Sequence, residues 1–449
     1  MPDSAAENPV RRLRAALDSG RWAPVMPLLA SLNPAEIANL LSSLPERERN
    51  LVWEMVNPEN DGQVLLHLPE DVREGLIRQM DTAELVAAAE DLDIDDLADF
   101  VDALPETVTR QVMRALSDAD RQRLETVLEY DPDTAGGLMN TDTVTVRPDV
   151  TLEVVMRYMR MRGELPAHTD SLFVVDSYGR YLGRLPLDRI LTQAPEATVG
   201  QIMDRELEAI PVAMSAREVG QEFQTSDLVS APVIAGDDHK LVGRITIDDV
   251  VDVIRSDAEH NLLSMAGLDE DIDLFAPVYR ASKRRALWLG INLATAFLAS
   301  AVVGMFEATI QEVVALAVLM PIVASMGGIA ASQIVALMVR GIALDQISEG
   351  NIGALLRKEI LVALINGALW GVTVAAIALW WFGSPMLGLV IGLALLLNLL
   401  LAAASGLLVP LLLRKVGQDP ALAGSVIVTT ITDVMGFFLF LGLGALFLL

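Results

Sequence analysis

Two regimes of hydrophobic patterning divide the chain. Up to Arg285, apolar positions alternate with polar ones at helix or strand spacing; beyond it they run together. A helix needs about 20 apolar residues to cross a hydrocarbon core of about 30 Å. Five stretches meet that length, at 286–306, 313–339, 360–382, 386–413 and 421–448. They predict a polytopic α-helical membrane domain of five transmembrane helices over 286–449. Arg280, Lys283, Arg284 and Arg285 precede the first span, Arg340, Arg357 and Lys358 follow the second, and Arg414 and Lys415 follow the fourth. The loop after the first span carries Glu307 and Glu312, and the turn after the third is uncharged. Bases on alternate loops place the amino terminus inside and the carboxyl terminus outside. The first twenty residues have no apolar core of a signal peptide, so the front is expected in the cytoplasm, on a multi-pass cell (inner) membrane protein.

The front reads as α plus α/β, in several domains. Residues 1–133 form short amphipathic helices, such as NPAEIANLLSSL and LPEDVREGLIRQM, with proline at their starts. Proline suits a first helical turn, where its missing N–H costs nothing. This rhythm predicts an acidic helical array whose units pack on their neighbours. Residues 134–200 and 201–256 are a duplication. GLMNTDTVTV parallels QIMDRELEAI, and SLFVVDSYGRYLGRLPLDRIL parallels SAPVIAGDDHKLVGRITIDDVV. Each half predicts a βαββα unit with a glycine, Gly183 or Gly243, in its last strand. The pair resembles tandem CBS domains, which commonly sense adenosine ligands or ions and gate an attached unit. Residues 257–285 are expected to be a connecting helix region.

Charge sharpens this division. The chain has 449 residues, 33 Lys+Arg against 60 Asp+Glu and a net charge of −27. Acids and bases balance from Asp271 onward, nine of each, so the front carries the whole excess. Such a surface repels phosphate and argues against nucleic-acid binding. The absence of cysteine excludes disulfides, thiolate zinc and iron–sulfur sites. No P-loop, nucleophile elbow or HExxH motif points to an enzyme.

A solvated surface accounts for scattered acids but not for local runs. Asp91, Asp93, Asp95, Asp96 and Asp99 fall within nine positions, and Asp248, Asp249, Asp252, Asp257 and Glu259 form a second run. Asp95 with Asp99, and Asp248 with Asp252, stand at i,i+4 spacing, where like charges share a helix face and repel. A hard divalent cation relieves that repulsion and prefers carboxylate oxygen.

The spans hold one carboxylate well inside a helix, Asp433, with no base at comparable depth. An ionised group there costs about 2.5–3.5 kcal/mol on insertion scales, and by default faces an aqueous path or a partner. Thr429, Thr430 and Gly436 share its helix face. In the second span Pro321, Ser325, Gly328 and Ser332 form a matching small and polar stripe. Carboxylate, hydroxyl and backbone oxygen without Cys or His is chemistry for Mg²⁺ or Ca²⁺. One Asp per chain is few for a pore, and a two-fold homodimer supplies two. Lone Asn292, Asn366 and Asn398 read as contacts between helices.

This order of parts resembles the MgtE family of magnesium transporters over essentially the whole chain. PIVASMGGIAASQIVALMVRGIAL and DPALAGSVIVTTITDVMGFFLF carry the resemblance in the membrane, and LDIDDLADFVDALPE, SDLVSAPVI and ITIDDVVDVI carry it in the front. The resemblance implies a homodimeric channel that admits Mg²⁺ and is held shut by cytoplasmic Mg²⁺. Asp433 would be the pore carboxylate, with Asp95, Asp96, Asp99, Asp227, Asp248, Asp249 and Asp252 at acidic regulatory positions. The CBS resemblance further implies an adenosine-nucleotide (ATP) site at Gly243, Thr246 and Asp249; the first repeat has Pro186 and Arg189 instead of the Thr and Asp. Two departures stand out. The family's Gly-Gly-Asn-x-Gly run is Gly327, Gly328, Ile329, Ala330 and Ala331 here, and the connecting segment has His260 and Asn261 where the family is more acidic. The alternatives are a carrier of Co²⁺, Mn²⁺ or Ca²⁺, and a membrane-anchored CBS sensor without transport.

Overall fold

The computed structural model describes residues 12–13, 24–90, 92–268, 273–344, 346–348 and 350–449. Asp91 of the first acidic run lies outside them, as do Asp271, Asp345 and Glu349. The chain forms two compact units, one of Met1–Ala258 with Asp271–Pro277 and one of Glu259–Glu270 with Val278–Leu449.

Among the described residues from Val25 onward, the front unit has nine short α-helices: α1 (Val25–Leu29), α2 (Pro34–Ser42), α3 (Glu46–Trp53), α4 (Asp61–Leu66), α5 (Glu70–Ile77), α6 (Thr82–Glu90), α7 (Ile94–Asp102), α8 (Glu106–Ala115) and α9 (Asp118–Leu128). Their starts are chemically set. Asn33 caps α2 with a reciprocal Glu36 bond, and Pro34 occupies the first turn. Pro45, Pro69 and Pro105 stand one place earlier, at the N-cap itself. Helices this short are marginal alone, so their stability must come from packing. Leu40, Leu65, Leu76, Leu97 and Phe100 are fully enclosed in one core.

Two βαββα units follow. The first has β1 (Thr145–Val146), α10 (Leu152–Arg162), β2 (Ser171–Val175), β3 (Tyr181–Pro186) and α11 (Leu187–Thr192). After the one-turn helix α12 (Val199–Ile202) come β4 (Ile210–Pro211), α13 (Ala216–Ser226), β5 (Ser230–Ala235), β6 (Lys240–Thr246) and α14 (Ile247–Ser264). In each sheet the first strand is parallel to the second, and the third is antiparallel. Gly183 pairs with Val174, and Gly243 with Val233, each beside a register shift. The duplication is therefore structural down to the irregularities.

The two halves exchange their entry segments. Asn140, ahead of β1, bridges Arg244 in β6, and Asp204, ahead of β4, bridges Arg184 in β3. Both bridges are double, at 2.8 and 2.9 Å for Asn140–Arg244 and 2.8 and 2.7 Å for Arg184–Asp204. The glycines make room for these crossings. A Cβ on Gly243 would lie 2.7 Å from the Met139 sulfur and 3.0 Å from Asn140 O, and one on Gly183 would overlap Asp204 O. The first repeat keeps its own core, whereas Val219, Phe223, Val233 and Ile245 of the second join the core of the helical array.

Among the described residues the second unit holds five helices long and apolar enough to cross a membrane: α15 (Val278–Met305), α17 (Ala315–Ala343), α18 (Ile352–Phe382), α19 (Pro385–Lys415) and α20 (Pro420–Leu448), with a short α16 (Glu307–Glu312) between the first two. At 1.5 Å per residue, helices of 28 to 31 residues reach about 42–46 Å, beyond a core of about 30 Å. The expected connecting region 257–285 is not one helix. α14 runs through residue 257 to Ser264, a turn with Gly267 at φ 69° follows, and α15 begins at Val278.

Candidate functional site

Asp433 lies on α20, half-buried, five residues after the buried Val428 and seven before the buried Phe440. Among the described residues it makes no hydrogen bond or ion pair. Thr429 is one turn away, and a Cβ on Gly328 of α17 would stand 4.0 Å from its methyl group. The two helices thus bring Asp433, Thr429 and Gly328 to one border. Ser325 and Ser332 are exposed on the open side of α17, with Pro321 and Ile329.

Gly436 requires a correction. Its place on the Asp433 face, without a side chain, implies a gap where backbone can approach an ion. The space is filled: a Cβ there would lie 2.8 Å from the Asn398 amide nitrogen. Asn398 of α19 is fully buried, and a Cβ on Gly327 of α17 would overlap the same amide. The amide donates to Val323 O at 3.0 Å, while its carboxamide oxygen is unpartnered among the described residues. Glycine at both positions lets one polar side chain join three helices, which is how small residues serve membrane packing.

In the front unit, acids from distant segments converge. Asp95 and Asp96 begin α7; Asp248 and Asp249 begin α14. Asn140 donates to Asp95 at 3.2 Å and Gln63 to Asp96 at 3.3 Å. The Thr246 hydroxyl donates to Asp248 and lies 3.1 Å from Asp249 Oδ2. Burial, then the neighbouring charge of Asp96, pushes Asp95 up to about 6. Burial also holds Asp96 up at about 6, against a lowering hydrogen bond from Gln63 and with raising charges from Asp93, Asp99 and Asp248. Asp249 is pushed up to about 8 by burial, then by Asp95 and Asp248. These are carboxylates that destabilise one another.

The duplication explains why a buried guanidinium among these acids, Arg244, has no ion pair of its own. In the first repeat Arg184 pairs with Asp204 at 3.1 Å. The equivalent of Asp204 in the other crossing is Asn140, so Arg244 gains no ion pair. It is buried, donates to Ala167 O at 2.8 Å and Thr169 Oγ1 at 3.4 Å, and its Nε is unpartnered among the described residues. His168 meets Asp248 at 3.3 Å. Asn140, Gln63 and His168 were not singled out in the sequence, although the offset of Asn140 against Asp204 in the repeat was visible.

Asp99, one turn along α7 from Asp95, is likewise pushed up to about 6 by burial, against the lowering charge of Arg73 and with raising charges from Asp95 and Asp102. The other expected acids are dispersed. Asp227 is exposed in the left-handed conformation that ends α13, its φ at 49°. Asp252 pairs with Arg255 at 3.1 Å, and Asp257 pairs with Arg217. Glu259 is exposed and belongs to the second unit. Among the described residues no three Asp, Glu or His side chains are close enough to enclose an ion as they stand. At the expected nucleotide positions, Gly243 serves the Met139 crossing, and the buried Thr246 hydroxyl is held by Asp248 and Asp249.

An acidic front unit carrying paired βαββα repeats, joined to five apolar helices with one unpaired carboxylate, defines a membrane transporter and not an enzyme. The chain matches the divalent cation transporter domain over residues 320–443, the MgtE intracellular N domain over 32–133 and CBS domains over 135–196 and 199–256. It belongs to the MgtE family. It is 29% identical to the magnesium transporter MgtE of Thermus thermophilus over 97% of this chain and 98% of that one, and 24% identical to that of Bacillus subtilis over 98% and 97%. Among solved structures it is similar to the cytosolic domain of the Mg²⁺ channel MgtE in complex with ATP, at 27% identity and a TM-score of 0.48, over 54% of this chain and 99% of that one.

Proposed function

We propose that this chain carries Mg²⁺ across the cell (inner) membrane into the cytoplasm past Asp433, and that cytoplasmic Mg²⁺ bound by the front unit closes it. The observation that carries this reading is the convergence of Asp95, Asp96, Asp248 and Asp249, four carboxyl groups against one buried guanidinium, Arg244, and the His168 ring. Hard cations favour such oxygens, and Mg²⁺ retains several waters, so a few spaced carboxylates suit it better than a tight cage. Ions that bind the compact form better shift the equilibrium towards it. Asp99, Asp227 and Asp252 stand near enough in sequence to join as the parts close; Asp257 would first have to leave Arg217. The proposed path uses Asp433, Thr429 and Gly328, with Ser325 and Ser332 facing a second copy across a two-fold axis. The front lies inside and the carboxyl terminus outside. An adenosine nucleotide would use Thr246 and Asp249 as polar groups, with Gly243 as packing. The names of the relatives favour Mg²⁺ over Co²⁺, Mn²⁺ or Ca²⁺.

Purified full-length protein in liposomes tests both parts. Asp433→Ala is expected to abolish Mg²⁺ flux with the dimer intact, and normal flux would remove Asp433 from the path. Millimolar Mg²⁺ is expected to protect residues 1–270 from protease. Equal protection by monovalent salt of matched ionic strength would reduce the effect to screening.

A further inference from the structure

The membrane unit holds a second buried carboxylate. Glu359 of α18 is 6% exposed and borders a cavity of about 410 Å³ between α17 and α18. Ile334, Met338 and Leu355 supply apolar wall, and Lys358 stands at the rim beside Glu359. A volume of this size falls within the range of small-molecule sites. Glu359 is seven residues inside a helix of 31, about 10 Å along its axis, which puts it near the edge of the hydrocarbon core.

Glu359 is under-satisfied. A carboxylate has about four acceptor positions. Among the described residues its partner is Lys358 Nζ, at 3.2 Å, and the Lys358 side chain is 65% exposed. That ammonium is long, wet and free to turn outward. The nearby amide of Asn351 is engaged, donating to Gln346 O at 2.7 Å and accepting from Ser348 N at 3.1 Å. The cavity therefore combines a buried anion, a displaceable cation at its mouth and apolar wall. An inorganic divalent ion does not suit it, since Mg²⁺ demands near-octahedral oxygen and these walls offer little.

We propose that this cavity is a specific site for a phospholipid whose headgroup carries a primary ammonium, with phosphatidylethanolamine as the fitting class. The ammonium donates its N–H groups to Glu359. Lys358, released, turns to the phosphate, and acyl chain lies along Ile334, Met338 and Leu355. Arg340 and Arg357 at the same end favour the phosphate further. A choline headgroup has charge but no N–H to donate, so it is discriminated against. A purely anionic headgroup meets Glu359 as like charge. The inference needs the membrane placement of α17 and α18 and is independent of which ion is carried.

Full-length protein in detergent, mixed with equal dioleoyl phosphatidylethanolamine and dioleoyl phosphatidylcholine, would be examined by native mass spectrometry. Wild type is expected to retain the ethanolamine lipid about tenfold over the choline lipid, the equivalent of about 1.4 kcal/mol and within the reach of one charge-assisted hydrogen bond. Glu359→Gln, which keeps shape, is expected to bring the ratio near one. Ile334→Trp, which fills the cavity and leaves Glu359 in place, is expected to do the same, with unchanged elution volume reporting an intact fold. Equal retention in wild type overturns the proposal. So does a preference that survives both variants, a bound Mn²⁺ probe that depends on Glu359, or a cross-link between copies through Leu337 that shows the cavity closed by protein.

Discussion

Asp433 and Asp95 are the same side chain under different constraints. Asp433 meets no base among the described residues and lies half-open beside Thr429; along the proposed path its charge is met by water and by the passing ion. In the front unit Asp95, Asp96 and Asp249 are crowded by each other and by desolvation. All three hold protons more tightly folded than unfolded, with values of about 6, 6 and 8 against 3.8. Their contribution to stability is thus full below about pH 4 and is lost as pH rises through 6 and then 8. Without divalent ions, lowering the pH from 8 to 5.5 is expected to slow proteolysis of the front unit. With Mg²⁺ the sign reverses for binding, because protons compete with the metal. The Mg²⁺ concentration for half-protection is expected to rise on the order of tenfold between pH 8 and 6. A titration of protection at both pH values checks this, and an unshifted midpoint would exclude these carboxylates from the site.

Elements in this protein are joined by a few buried polar groups. Arg49 of α3 is 3% exposed and holds Asp273, 8% exposed, through two contacts of 2.9 Å. The same guanidinium donates to Leu41 O at 3.0 Å and Leu44 O at 2.9 Å. Asp273 lies in the segment just ahead of α15, so the helical array grips the chain where it leaves for the membrane. Removing one partner of a buried pair typically costs about 3–5 kcal/mol, because the other charge is left unpaired. Arg49→Ala is expected to free the segment around Asp273, seen as faster amide exchange at residues 273–277 than in the wild type. In the membrane, Asn398 plays the joining role between Gly327 and Gly436. Gly436→Ala would overpack that contact, by about 1–3 kcal/mol. It is expected to lower thermal stability in detergent and reduce flux together, whereas Thr429→Ala should reduce flux alone.

At the scale of the whole molecule, the five spans, the duplicated βαββα units and the run of short helices were all legible, because each rests on a local period. The resemblance implies roles for Asp433 and the acids, but it does not reach two features. The apolar span of 360–382 leaves Glu359 just outside, whereas the helix starts at Ile352 and buries it. Gly436 shares the face of Asp433, and spacing alone assigns both to an ion. Only the neighbouring helix, with Asn398 on it, separates them.

Hydropathy, charge segregation and internal repetition are properties of the chain read along its length. They sufficed for the number of spans, the division into an acidic front and a neutral membrane unit, and the strand–helix order of each repeat. Which side chains meet across more than a hundred residues is a property of packing. The exchange of entry segments that leaves Arg244 without an acid, the approach of Asp95 to Asp249, the filling of the Gly436 gap and the burial of Glu359 depend on volumes and distances between elements, which no period along one strand or helix records.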